Sequence, residues 1–275
     1  MPANKTIALL GTGHLGSALA AGLIQAQLPA HSILVTNRNP KKLADLIARL
    51  GVSSAKTNTE AAEAADIIIL AVKPQSIKEL CLELSTTVQK KRPLIISLAG
   101  VISTEDIAHW LGNNELGIVR VMTNTPIEYC KGTTALFANE HVTQAQKETS
   151  ETIFNKVGIT FWTQDQKMLN TLTAPIGSAP AYVFLFMEAL QEAAINRGIP
   201  KEFATKIALE AVVGAATLAS QSMSTFAELR AGVATAKGVT EHSMNKISIP
   251  EFFDTFKVLF SAVEERIGEI EKTML

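Results

Sequence analysis

The sequence predicts an α/β first half, a parallel sheet covered by helices, followed by an all-α second half. Short Val- and Ile-rich runs alternate with longer amphipathic stretches over the first 160 or so residues, and beyond about residue 165 those runs stop. A length of 275 residues with 47% hydrophobic content exceeds what one small core holds, so two domains are expected, at 1–164 and 165–275.

Strands are expected at "TIALLG", "ILVTNR", "DIIILAV", "LIISLAG" and "GIVRVMT", each a short apolar run. Between them, "HLGSALAAGLIQA", "PKKLADLIARLG", "SIKELCLELSTTV" and "STEDIAHWLG" repeat apolar residues at three- and four-residue intervals, the period of a helix face. A further helix at "TQAQKETSETIFNKVG" and a short strand at "ITFWTQ" complete the first half. The second half offers long Ala/Leu/Phe-rich helices, beginning with "QKMLNTLTAPIGSAPAYVFLFMEALQEAAINRG". Its apolar stretch from Ala179 to Leu190 is too short to require a membrane span.

A net charge of −1 gives no broad attraction to nucleic acid or an anionic membrane, so a small-molecule ligand is expected. Cys81 and Cys130 are the two cysteines, and neither sits in a Cys/His cluster, so no metal site or disulfide framework is expected. A reducing compartment, the cytoplasm, fits this usage and the absence of a leader pattern at the start of the sequence.

The glycines carry the first chemical signal. Gly11, Thr12, Gly13, His14, Leu15 and Gly16 spell G-x-G-x-x-G between a strand and a helix, with a second strand about 20 residues on, which is the dinucleotide fingerprint of a Rossmann domain. Gly11 permits the tight turn, Gly13 lets a pyrophosphate approach the backbone, and Gly16 allows close packing. Where an NAD enzyme usually carries an acidic residue after the second strand, this chain reads "VTNRNPKK". Asn37 and Arg38 offer donors there, and a guanidinium forks onto a phosphate, which favours NADPH, with NADH as the alternative.

The chain resembles the pyrroline-5-carboxylate reductase family nearly end to end, through the glycine loop, "AVKPQ" at 71–75, "RVMTNTP" at 120–126, "VGITFW" at 157–162, "GSAPAYVFLFMEAL" at 177–190 and Gly-Val-Thr at 238–240. The resemblance implies reduction of a cyclic imine to proline with a nicotinamide cofactor. It also implies a Rossmann domain joined to an all-α dimerisation domain, and a homodimer, with a ring of dimers as a larger form. It places Val72, Lys73 and Pro74 beside the cofactor and Asn124 at the nicotinamide face. Lys237, Gly238, Val239 and Thr240 would hold the substrate carboxylate, with Thr240 near the imine nitrogen as the catalytic group.

The chain departs from the family pattern at Thr235–Thr240, where Lys237 stands in place of a glycine, and at Thr123 and Ile176, expected to face the site. These changes open a second reading, reduction of a related cyclic imino acid. A non-catalytic NADP-binding protein is a third.

Overall fold

The computed structural model describes residues 5 to 274. They form two compact units, one of residues 5–180 with 263–274 and one of Ala181–Ala262. The first unit holds strands β1 (Ile7–Leu10), β2 (Ile33–Thr36), β3 (Ser53–Ser54), β4 (Ile67–Leu70), β5 (Leu94–Ser97), β6 (Ile118–Met122), β7 (Gly132–Ala138) and β8 (Gly158–Trp162). Its helices are α1 (His14–Gln25), α2 (Pro40–Leu50), α3 (Asn58–Ala64), α4 (Ile77–Lys91), α5 (Thr104–Trp110), α6 (Gln144–Asn155) and α7 (Gln166–Thr171).

The strands form one sheet in the order β3-β2-β1-β4-β5-β6-β7-β8. Strands β1 to β6 run parallel, so their carboxyl ends share one edge, and the order reverses between β1 and β4. Central strands such as "IALL" and "IIIL" are apolar throughout because helices cover both faces. Alternation divides their side chains: Ile7 and Leu9 join Leu19, Leu23, Leu46 and Phe154 on one face, while Ala8 and Leu10 join Leu80, Leu84 and Ile107 on the other.

The elements depart from expectation at β3 and α3, which were not expected, and at two further places. Strand β7, "GTTALFA", was not expected, and it pairs antiparallel with β6 and parallel with β8. Its glycine and threonines dilute the apolar run that marks a strand. The long helix expected from residue 166 is broken: α7 ends at Thr171, a π-helical turn spans Thr173–Ser178, and α8 (Ala179–Ile195) follows. Pro175 and Gly177 lie in that turn, where proline removes a helix donor and glycine weakens the ladder.

The second unit contains most of α8, then α9 (Lys201–Gln221), α10 (Phe226–Val233), α11 (Val239–Met244) and the first half of α12 (Ile249–Met274). Among its residues only Ala204 and Ala208 are buried, while Phe184, Phe186 and Phe203 are 61%, 54% and 58% exposed. Phe256 packs edge-on against both Tyr182 and Phe252. Helix α9 is long and apolar enough to cross a bilayer by length and composition, although the sequence reading weighed only the shorter Ala179–Leu190 stretch.

Candidate active site

The glycine turn follows β1 at the carboxyl edge of the sheet, beside the reversal in strand order where α/β sheets bind ligands. Gly11 has φ +95°, and a Cβ there would lie 2.6 Å from Val72 Cγ1 and 2.9 Å from the Val72 backbone nitrogen. At Gly16 a Cβ would lie 2.3 Å from the carbonyl oxygen of Gly11. Around Gly13 the space is open, with nothing within 4 Å of an added Cβ. Helix α1 starts there with no side-chain cap and no acidic residue in its first turn, so its leading amides suit an anion. The turn therefore fits the pyrophosphate of a dinucleotide. His14 is exposed at the start of α1, Leu15 is half-buried, and Thr12 is buried.

The end of β2 is tied to this turn. The amides of Gly11 and Thr12 donate to the Thr36 carbonyl, and the Asn37 side-chain amide donates to the carbonyl and hydroxyl oxygens of Thr12 at 2.9 Å each. Asn37 Oδ1 accepts from the Asn39 amide, so its side chain braces the turn. The Thr36 hydroxyl donates to Asn58 Oδ1. Arg38 is exposed and pairs with Glu79 of α4 at 2.8 Å.

Val72, Lys73 and Pro74 follow β4 at the same edge; Val72 and Pro74 are half-buried and Lys73 is exposed. Asn124, after β6, is buried and bonded at both ends of its amide: Oδ1 accepts from the Thr133 amide, and Nδ2 donates to the Ile176 carbonyl. Thr123 and Ile176, expected to face the site, are both buried. The Thr123 hydroxyl meets that of Thr134, and Ile176 packs with Met122, Ala135 and Leu169. Both side chains are absorbed by the junction between β6, β7 and the π-helical turn.

That junction holds a residue the sequence reading missed. Arg120 of β6 is 2% exposed and donates to the Gly100 carbonyl and to Asn170 and Gln166 of α7. Burial pushes its pKa down to about 10, against the pull of Glu271 and Glu105. Both faces of β6 are buried, so a charged residue within this apolar strand lies inside, a position visible in the sequence, but its acceptors are distant in the chain. Burial pushes the Glu105 carboxyl up, but hydrogen bonds from Gln166, its own backbone, Thr104 and Ser103 outweigh this and hold its pKa below the ordinary value.

The expected substrate residues form a turn in the second unit. Lys237 has φ +62°, a left-handed conformation that a glycine adopts without strain, and its amide donates to Glu241 Oε2 at 2.6 Å. Gly238 caps α11 and donates to the Thr235 carbonyl; Val239 and Thr240, in the first turn of α11, are exposed. His242 is exposed one residue after Glu241, and Glu188 is exposed on α8.

Two cavities lie elsewhere in the first unit. One of 630 Å³ is lined by Glu105, His109, Phe137 and His141, and one of 330 Å³ by Cys130, Lys131 and Asn155. Neither is lined by the glycine turn. Among the described residues no group of three or more His, Cys, Asp or Glu is placed to hold a metal ion.

Comparison with known proteins accounts for both halves. Residues 166–270 match the family described as pyrroline-5-carboxylate reductase dimerisation, and residues 6–100 that described as NADP oxidoreductase coenzyme F420-dependent. The pyrroline-5-carboxylate reductase of Pseudomonas aeruginosa is 32% identical over 268 residues, 98% of this chain and 97% of its own length. That of Vibrio alginolyticus is 33% identical over 270 residues, 98% of each chain. The solved pyrroline-5-carboxylate reductase of Coxiella burnetii is 36% identical with a TM-score of 0.87, over 97% of this chain and 98% of that one. The Plasmodium falciparum pyrroline carboxylate reductase, solved with NADP bound, is 25% identical with a TM-score of 0.87 over the same shares. The chain belongs to the pyrroline-5-carboxylate reductase family.

Proposed function

We propose that this protein reduces 1-pyrroline-5-carboxylate to L-proline, the last step of proline biosynthesis, with NADPH as its preferred cofactor. The likeness to pyrroline-5-carboxylate reductases along 98% of the chain carries this reading. When bound, NADPH would supply the hydride that reduces the carbon of the imine, whose nitrogen carries the proton. The protein's share is alignment, retention of the carboxylate and a hydrogen bond at the ring nitrogen.

On this reading residues 1–164 bind the dinucleotide. Gly11 to Gly16 and the first amides of α1 take the pyrophosphate, Asn37 braces the turn, and Arg38 meets the 2′-phosphate. Val72, Lys73 and Pro74 line the cofactor, and Asn124 fixes the edge that meets the nicotinamide. Residues 165–275 take the substrate and the second subunit. Backbone amides between Lys237 and Thr240 hold the carboxylate, Thr240 hydrogen-bonds near the imine nitrogen, and the Lys237 ammonium adds a charge for the acid. No metal takes part. The exposed apolar helices of the second unit support a homodimer, which assembles further as a ring of dimers; a second copy, rather than a bilayer, covers α9. The location is cytoplasmic, in keeping with two free cysteines.

Lys237 at a glycine position supports a second reading, a related cyclic imino acid as substrate. Complementation of a proline auxotroph tests the first: growth without proline is expected, and failure despite good expression contradicts it.

A further inference from the structure

We propose that Glu79 is a specificity-determining residue: as the counter-ion of Arg38 it moderates the preference of this site for a 2′-phosphorylated dinucleotide. The inference rests on the reading that Arg38 meets the 2′-phosphate.

Glu79 and Glu83 lie four residues apart in the first half of α4 and so share a helix face. Both reach toward the end of β2. Glu79 Oε2 accepts from Arg38 Nη2 at 2.8 Å, and Glu83 Oε2 accepts from Asn58 Nδ2 at 3.0 Å, while Asn58 Oδ1 takes the Thr36 hydroxyl. The line from Thr36 through Asn58 to Glu83 pins this face of α4 to the strand end. That contact keeps the Glu79 carboxylate beside the Arg38 guanidinium. Lys41 and Lys42 are also exposed nearby in sequence, at the start of α2, where their amides cap onto Asn39.

A carboxylate and a phosphate compete for the same guanidinium donors. An incoming 2′-phosphate must displace or share Glu79 and also meets its negative charge. A ribose carrying only hydroxyls meets neither cost. Glu79 therefore narrows the margin between NADPH and NADH that Arg38 alone would set. Both partners are 73% exposed, so the effect is modest, about two- to fivefold in affinity, and shrinks as salt screens the pair.

The test is calorimetric titration of the full-length protein with 2′,5′-ADP and with 5′-AMP, which differ by the phosphate in question. Glu79→Gln is expected to tighten 2′,5′-ADP two- to fivefold, leave 5′-AMP unchanged, and have no effect in an Arg38→Met background. If Arg38→Met weakens 2′,5′-ADP but Glu79→Gln shifts both ligands alike or neither, the role of Glu79 is overturned while the Arg38 reading stands. If Arg38→Met leaves 2′,5′-ADP binding unchanged, the Arg38 reading itself fails and takes the inference with it.

Discussion

At Gly11 a positive φ and the nearness of Val72 act together, so no L side chain fits without moving β4 or the turn. Gly11→Ala is expected to destabilise the fold by about 1–3 kcal/mol and to abolish dinucleotide binding, read by thermal denaturation and cofactor titration. At Lys237 the native chain already carries such a strain: a lysine holds a backbone angle that suits glycine, and Glu241 secures it. Lys237→Gly should relieve about 1 kcal/mol of strain, yet raise KM for the imine severalfold with kcat little changed if the ammonium serves the substrate acid. Unchanged kinetics would remove the amine from the site. Burial pushes the Cys81 thiol from 9.0 to about 12. Its folded pKa lies above its unfolded one, so its stabilising share is complete below pH 9 and is lost as pH rises toward 12, at about 1.4 kcal/mol per pH unit. Denaturant titrations between pH 8 and 11 should show this slope in the native sequence and its loss in Cys81→Ala.

Elements were legible where one local signal sufficed. Strands β1 and β4 are unbroken apolar runs, and α2 announces itself with Asn39 as cap, Pro40 next and Gly51 closing it. The glycine turn was equally legible, because its spacing states a backbone requirement. Strand β7 was not, since its reason for being a strand is β6 and β8 on either side. The uses of Asn37 and Asn124 were hidden for the same reason: the Asn37 Nδ2 donates to Thr12, 25 residues away, and Asn124 makes its contacts 9 and 52 residues away in the chain. Asn124→Ala removes the tie between β7 and the π-helical turn. It is expected to lower stability by about 1–3 kcal/mol, visible in Tm. An Asn124→Ala protein as stable as the parent would show that this tie is dispensable.

Across the molecule, the second unit buries too little of its own surface to stand uncovered in water: Phe184, Leu185, Phe186 and Phe226 are all more than half exposed. Sedimentation is expected to find no monomer at micromolar concentration, and Phe184→Asp with Phe186→Asp is expected to dissociate the assembly. Composition foretold greasy helices but not which faces remain open, because that depends on how α8, α9 and α12 pack. The proposed activity is measured most directly as the initial rate of NADPH oxidation by purified protein with pyrroline-5-carboxylate, beside NADH and beside a six-membered cyclic imino acid. Fast turnover of the five-membered ring, with proline formed in equal amount and NADPH preferred, is the expected result. Dinucleotide binding with no turnover of any imine would contradict it.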